Sequence, residues 1–185
     1  MKAVLISINP EWCARIASGK KTIEVRRTRP KLEPPFKCYI YCTKGQERLV
    51  AILKDGDENY GVIYHGKPVF IKTSVPSVCD MYGKRKMVIG EFTCNRVTNL
   101  FSNSRFWLNE DDVLHTCLSA AEIRKYANGA NGLYGWHISN LRIYDTPREL
   151  REFYAVPNEA EVALKAKSKP VTRPPQSWRY VEELP

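Results

Sequence analysis

The stretch Gly19–Lys31, GKKTIEVRRTRPK, decides how the first part of the chain folds. Its six basic residues surround a single acid, Glu24, and give the stretch a net charge of +5. From Thr22 onward polar and apolar residues alternate, which is typical of a β-strand that carries Glu24 and Arg26 on one face. Lys21 lies at the entry to that strand. The stretch therefore predicts a strand face on which one carboxylate lies between two cations.

A strand and a short helix are predicted directly before this stretch. Residues 3–8, AVLISI, form a β-rich apolar run. Asn9 is a suitable N-cap, Pro10 suits the first helical position, and Gly19 suits the end of the helix. We therefore expect a strand, a helix over residues 10–18 and the basic strand in succession.

The rest of the chain is predicted to be mostly strand. Residues 37–43 alternate, with Tyr39 and Tyr41 on one face and Cys38 and Cys42 on the other. Strong β-patterns also cover residues 48–53, a hairpin about His65-Gly66, and residues 86–97. One further helix, with Ser119 and Glu122 as a capping box, is predicted to end at Gly129.

The C-terminal third contains one irregular strand. The alternation over residues 133–144 changes phase, which predicts a bulge near Ser139-Asn140. A short helix is predicted after it, with Thr146 as its cap, and residues 156–185 are predicted to form an extended tail that packs on the domain. Five or more strands with short helices at the rims indicate an α+β fold, a small β-barrel spanning residues 1–155 as a single domain.

The charge distribution favours an acidic partner. The 185-residue chain has a net charge of +9, and residues 1–44 account for +7 of it, with ten basic residues against three acids. Nucleic acid is the first candidate for such a partner. No run of 18 apolar residues is present, so no membrane helix is expected. The N-terminus lacks the features of a signal peptide, and we expect a cytoplasmic protein.

The six cysteines contain no CxxC pair and are expected to be free thiols in a reducing compartment. Cys38 and Cys42 share a strand face and are interpreted as small buried hydrophobic residues. The alternative, a metal site formed with a histidine, lacks the usual ligand spacing. We therefore expect neither a metal nor a cofactor.

The face that carries Glu24 is a candidate binding site. Neighbouring positive charge lowers the pKa of a carboxyl group and keeps it ionised. An ionised Glu24 accepts hydrogen bonds from the exocyclic amine of a base, while Lys21 and Arg26 contact phosphate. Arg27 and Arg29, with Lys31, broaden the positive surface. The alternative is a solvated strand edge with surface ion pairs of little energetic value.

Aromatic residues and one histidine complete the candidate set. Trp12 and Tyr41 are predicted to lie in the cleft and to stack on bases, while Trp178 is predicted to hold the tail against the domain. His137 shares its strand parity with Ser139 on a small polar face and is a candidate ligand contact. Lys21, Glu24 and His137 are the candidate catalytic residues.

The spacing Gly19, Lys21, Glu24, Arg26 resembles the G-x-K-x-x-E-x-R signature of ASCH domains, small β-barrels related to the PUA RNA-binding fold. Residues 5–30, 86–97, 136–150 and 173–183 also resemble the phage and prophage branch of that family. Residues 44–85 are the least similar and are predicted to be an insertion. The resemblance implies a cleft beside the helix at 10–18, lined by the signature residues, with RNA or a modified nucleotide as its ligand.

Some ASCH relatives are enzymes, which leaves a hydrolase as the alternative function. N4-acetylcytidine amidohydrolases are similar at Gly19, Lys21 and Thr22 but have a threonine at the position of Glu24, so their nucleophile arrangement is not available here. A ribonuclease would need an acid and a base near the phosphate, which Lys21, Glu24 and a histidine supply. Either enzyme would be metal-independent. A third hypothesis is a module whose basic face binds an acidic protein.

Overall fold

The computed structural model describes residues 1–44, 86–101, 110–157, 160 and 162–185, together with the backbone of 52–54, 59–64, 67–72, 102, 105–106, 159 and 161. Residues 48–51 of the strand predicted at 48–53 lie outside the described residues. Cys79 and the predicted turn residues His65 and Gly66 lie outside them as well.

Short helices alternate with strands of very different length. In chain order the elements are β1 (Lys2–Ile8), α1 (Pro10–Ala17), β2 (Ile23–Arg26), β3 (Phe36–Cys42), β4 (Ile52–Lys54), β5 (Asn59–Tyr64), β6 (Lys67–Lys72), β7 (Met87–Ser102), β8 (Arg105–Phe106), α2 (Glu110–Thr116), α3 (Ala120–Ala127), β9 (Gly132–Arg148), a 3-10 helix (Leu150–Glu152), β10 (Tyr154–Ala155), α4 (Glu159–Ala163), β11 (Lys169–Pro170) and β12 (Trp178–Glu182).

One mixed sheet organises the molecule, and the predicted α+β class is confirmed. Its strands follow the order β11-β10-β12-β1-β3-β7-β9-β2, with β8 added to β7. β1 and β3 are parallel and the other pairs are antiparallel. Strands β4, β5 and β6 form a separate antiparallel sheet, which contains the predicted hairpin.

The predicted closure into a barrel is wrong for the described part of the chain. The path of paired strands is open, and β11 and β2 are its two ends. At the β2 end of this path, the residues at the end of α2 lie against the start of the strand. Thr22 N donates to His115 O at 3.0 Å, and the ammonium of Lys21 donates to Thr116 O at 2.8 Å. A helix, and not a further strand, therefore packs at the start of β2.

The bulge predicted near Ser139-Asn140 is confirmed. On β7 the partners advance from Glu91 to Thr93, while on β9 they move from Arg142 to Ser139, so β9 contains one extra residue. Asn140 lies in this bulge, and its backbone has a left-handed conformation with φ of 47°. Asparagine tolerates this conformation better than most residues. The bulge changes the strand face on which the following residues lie.

Strand β3 separates two hydrophobic clusters. Cys38 and Cys42 pack with α1 on one side, and Tyr39 and Tyr41 pack with Phe153 on the other, as the alternation predicts. Among the described cysteines all are free thiols, and four of them are buried: Cys13, Cys38, Cys42 and Cys94. Burial raises the pKa of the Cys94 thiol to about 12, which is the behaviour of a small core residue.

Two predicted helix ends are confirmed. Asn9 is the N-cap of α1 by position, although its side chain accepts from Thr43 Oγ1 at 2.9 Å instead of bonding the helix. Ser119 and Glu122 form the capping box of α3, in which Glu122 N donates to Ser119 Oγ at 3.2 Å. Gly129 follows α3 with φ of +73°. None of the helices in the described ranges combines the length and the hydropathy needed to cross a bilayer.

The helix predicted with Thr146 as its cap is wrong. Strand β9 continues through that region to Arg148, which pairs with Val88 on β7. Only the 3-10 turn Leu150–Glu152 follows, capped by Glu149. The local capping pattern is overridden because Thr146 lies within strand β9, which runs on to Arg148.

The C-terminal segment contributes to the sheet. Strand β12 lies between β1 and β10, with Lys2 opposite Glu182 and Ala155 opposite Val181. Trp178, predicted to hold the tail in place, packs against Trp136 with ring centroids 6.0 Å apart. The limits of the predicted domain and insertion stay predictions.

Candidate functional site

A cavity of about 590 Å³ opens beside α1. Five parts of the chain form it: the junction of β1 and α1, strand β2 with the turn before it, the residue after β3, helix α3 with the residue that precedes Ser119, and a proline-rich segment before β12. Its lining residues are Ser7, Ile8, Asn9, Trp12, Lys21, Glu24, Val25, Arg26, Thr43, Leu118, Glu122, Tyr126, Pro174, Pro175 and Gln176.

Lys21, Glu24 and Arg26 line the cavity although their side chains are largely buried, with 3%, 6% and 8% of their surface exposed. Glu24 Oε1 lies 2.8 Å from an Arg26 guanidinium nitrogen, and Glu24 Oε2 lies 3.4 Å from Lys21 Nζ. The carboxylate predicted between two cations is therefore present. Because each oxygen binds only one of the two cations, each keeps acceptor capacity for a further donor.

Lys21 joins two elements at the base of the cavity. Its ammonium donates to Ile23 O at 2.9 Å and to Thr116 O at 2.8 Å, besides its contact with Glu24. Thr116 is the last residue of α2, where the carbonyl groups of a helix favour a cation. An ammonium has three protons, and all three have partners here. Lys21 therefore fixes the position of Glu24.

Arg26 connects the cavity to two other segments. One guanidinium nitrogen donates to Ser7 O at 2.7 Å, and the other lies 3.4 Å from Ser177 Oγ. The hydroxyl of Ser7 donates to Pro175 O at 2.6 Å. These bonds hold the proline-rich segment against β1 and define that wall of the cavity.

Trp12 and helix α3 form the other walls. The Arg15 guanidinium lies 4.9 Å and Lys21 Nζ 5.2 Å from the centre of the Trp12 ring. Glu122 and Tyr126 lie one turn apart on α3 and both line the cavity. Hydrogen bonds from the backbone and hydroxyl of Ser119 lower the pKa of Glu122, so its carboxyl is ionised. The lining therefore contains two cations and two anions.

One exposed cation, Arg27, contacts a residue of the cavity lining, and two more follow it in the sequence. Arg27 Nε donates to Tyr126 O at 2.9 Å, and its guanidinium lies 5.0 Å from the centre of the Tyr126 ring. Arg29 and Lys31 follow and are exposed. These three residues form the basic rim, as they are called below.

Five predicted site residues do not line this cavity: Arg27 and Arg29 of the basic rim, and three residues that lie elsewhere. Tyr41 lies in the other hydrophobic cluster and lines a different cavity. His137 lies opposite Ile23 and therefore on the other face of β2 from Glu24. Its ring contacts Arg96 at 3.3 Å and Thr98 at 3.1 Å. Ser139 donates to Thr93 O at 2.9 Å within the bulged region.

Sequence reasoning misses two walls of the cavity. Glu122 and Tyr126 are predicted to lie on a helix, but nothing local shows that α3 lies beside β2. Pro174–Gln176 fall in the predicted tail, and the family resemblance of residues 173–183 is the signal that could have found them. Among the described residues no three His, Cys, Asp or Glu side chains come together in a group that could hold a metal ion.

Comparison with known proteins gives the fold. No family model matches the sequence, and no curated protein matches it. The structure is similar to that of ASCH from Zymomonas mobilis, with a TM-score of 0.54 and 19% identity over 98% of this chain and 88% of that one.

Two single-residue variants of the same Zymomonas mobilis protein are also similar. The Tyr-to-Phe variant has a TM-score of 0.53 and 19% identity, covering 99% of this chain and 92% of that one. The Ser-to-Ala variant has a TM-score of 0.51 and 17% identity, covering 98% and 89%. The chain therefore has the fold of an ASCH protein, as the resemblance implied, while the phage and prophage branch stays a prediction.

Proposed function

We propose that this chain binds RNA and takes one base, plain or modified, into the cavity beside α1, where Glu24 reads the edge of the base. The observation that carries the proposal is the Glu24 carboxylate, which lines the cavity with one cation fixed on each oxygen. An exocyclic amine of a base is a suitable donor to such a carboxylate.

The size of the cavity fits such a ligand. Small-molecule sites commonly measure about 300 to 1,000 Å³, and this cavity has about 590 Å³. Trp12 supplies an aromatic wall on which a base can stack. Val25 and Leu118 contribute apolar surface around the charged groups.

The charges separate a place for the base from a place for the phosphate. The two cations of the cavity are balanced by Glu24 and Glu122, so the interior suits an uncharged base. The ammonium of Lys21 has no proton left for a phosphate, which revises the role expected from the sequence. The basic rim supplies the phosphate contacts in the proposal, and the net charge of +9 supports a polyanionic ligand.

A base-specificity experiment tests the role of Glu24. Fluorescence anisotropy would measure the affinity of labelled oligo-C, oligo-A and oligo-U for the wild type and for Glu24→Gln. Uracil has no exocyclic amine, so we expect the wild type to bind oligo-U more weakly by about 1–3 kcal/mol. Glu24→Gln should reduce that difference, since its amide has one acceptor oxygen instead of two.

A second variant keeps the experiment interpretable if Glu24→Gln unfolds. Trp12→Ala should weaken the binding of every sequence by about 1–3 kcal/mol, and Trp12→Phe should restore part of the loss. Circular dichroism would verify that each variant is folded. If the folded wild type binds no RNA at low salt, or if its affinity does not fall as salt rises, the proposal is wrong.

A hydrolase acting at the same site is the second candidate. One observation favours it: Lys21 Nζ and Glu24 Oε2 are 3.4 Å apart at the cavity wall, so a proton donor and an acceptor are adjacent. His137 lies on the other face of β2 and outside that pair. The enzyme hypothesis predicts cleavage of RNA or deacylation of an N4-acylated cytidine in the presence of a chelator. That turnover should disappear in Lys21→Ala and Glu24→Gln, and intact substrates would exclude it.

A further inference from the structure

A second cavity of about 840 Å³ adjoins the first. The two cavities meet at Pro174, which lines both. Strand β3 also leads to both, because Tyr41 lines the second cavity and Thr43 the first. The two cavities are therefore close enough for one linear ligand to reach both across Pro174.

The second cavity combines cations with an exposed aromatic ring. Lys86 and Arg151 line it and are exposed, and Tyr154 lines it with 43% of its surface exposed. Arg151 Nε pairs with Glu149 Oε2 at 2.8 Å, but both side chains are more than half exposed. Such a pair is weak in water, and the guanidinium keeps other donors free. Positive charge beside a π-face is how proteins hold successive nucleotides of a single strand.

The ridge between the cavities also carries a cation. Arg173 precedes Pro174 and is exposed. Within the described residues its guanidinium makes no hydrogen bond or ion pair. The proline-rich segment itself is held in place, since Ser7 Oγ donates to Pro175 O at 2.6 Å. Arg173 lines neither cavity, but its long exposed side chain is adjacent in sequence to Pro174 and is free to turn towards a phosphate there.

We propose that the second cavity takes a neighbouring nucleotide of the same RNA strand, so that the ligand is a single strand of two or more nucleotides. The inference rests on the proposed binding of a base in the first cavity. The base enters the first cavity, the strand crosses at Pro174 with a phosphate on Arg173, and the next nucleotide stacks on Tyr154. Lys86 and Arg151 neutralise the phosphates there.

Ligands of graded length test this arrangement. Titration calorimetry would compare cytidine monophosphate with single-stranded RNA of two, four and eight nucleotides. The double variant Lys86→Ala/Arg151→Ala should leave the affinity for the mononucleotide unchanged and weaken that for the octamer. The slope of log K against log salt should become less steep by about 0.7 for each phosphate that the variant no longer neutralises. Tyr154→Ala should weaken octamer binding by at least about fivefold.

A matched control removes two exposed charges outside both cavities. Arg142→Ala/Lys125→Ala has the same net charge as the test variant, and neither residue lines either cavity. Equal affinity for mononucleotide and octamer would overturn the inference, and so would equal losses of affinity in the two double variants. In both cases the proposal that a base binds in the first cavity would still hold if Glu24→Gln changes the preference of the protein among the oligonucleotides. Failure of every RNA to bind the wild type would overturn both proposals.

Discussion

At the scale of single residues, Lys21 shows which contacts a sequence motif can predict and which it cannot. The spacing of Lys21, Glu24 and Arg26 is enough to predict that these charges come together. It does not reveal that the ammonium also bonds Thr116, which is 95 residues away in sequence. The phosphate contact of Lys21 stays a prediction, and the bond to a distant helix supports a positioning role in its place.

Replacing Lys21 should therefore cost stability as well as binding. Lys21→Met leaves Glu24 with one cation and leaves the carbonyls of Ile23 and Thr116 without their donor. Removing one member of a buried charge pair destabilises by about 3–5 kcal/mol. Urea denaturation would measure the change. Lys20→Met is the matched control, because Lys20 is exposed and a surface change stays within about 0.5 kcal/mol. Equal losses of stability in the two variants would contradict the buried role.

His137 predicts a pH dependence of stability. Burial, followed by the charge of Arg96, lowers the pKa of its imidazole; His115 acts in the same direction and Asp112 opposes it. The Arg96 guanidinium can only donate, so the neutral ring accepts at Nδ1 and donates from Nε2 to Thr98. The folded pKa of His137 is below its unfolded value of about 6.5, so the stability that the neutral imidazole contributes is complete above that pH. It is lost as the pH falls through the folded pKa, because the unfolded chain binds the proton first.

Thermal unfolding at pH 7.5 and pH 5.0 would measure this effect. We expect the melting temperature of the wild type to fall further between the two values than that of His137→Gln, whose side chain does not titrate. A fall of the same size in both proteins would exclude His137 as the source.

At the scale of elements, the alternation of polar and apolar residues predicts the structure of the β9 region better than the helix-capping pattern does. The change of phase on β9 correctly predicts a bulge near Ser139-Asn140, because a strand with one buried face must compensate for an extra residue. The capping pattern at Thr146 fails, because β9 continues through Thr146 to Arg148, which pairs with β7. Which helix packs beside which strand is also absent from local sequence, so the α3 wall of the cavity could not be predicted.

The bulge can be tested at Asn140. Asn140→Val places a β-branched side chain at φ of 47° and should cost about 1–2 kcal/mol. Asn140→Gly should stay close to the wild type, since glycine adopts this conformation without a steric penalty. Chemical denaturation of both variants gives the comparison. Equal stability of the valine and glycine variants would show that the left-handed conformation carries no cost here.

At the scale of the whole molecule, composition is a poor guide to the C-terminal segment. Its many prolines and charges predict an extended tail that packs on the domain, but they do not reveal that Trp178–Glu182 form a strand inside the sheet beside β1. Pairing between residues about 175 positions apart has no local signature, because each strand alone shows only its own alternation. The parallel contact of β1 with β3 is hidden for the same reason.

Deletion of residues 177–185 should therefore abolish folding. It removes β12, exposes the edge of β1, and removes the Ser177 contact of Arg26. We expect loss of the cooperative thermal transition measured by circular dichroism. The matched deletion removes only Pro185, which is exposed, and should leave the transition in place. A cooperative transition in the longer deletion would show that β12 is dispensable.

The position of β12 also bears on when the protein can act during its own synthesis. A ribosome makes β1 before any other strand described here and makes β12 after all of them, so β1 lacks its neighbour while translation of these residues proceeds. Ser177 and the ridge at Pro174 emerge equally late, and the wall that they give to the cavity cannot form earlier. A nascent chain surrounded by messenger and ribosomal RNA would therefore carry an unfinished site until residue 182 has left the exit tunnel.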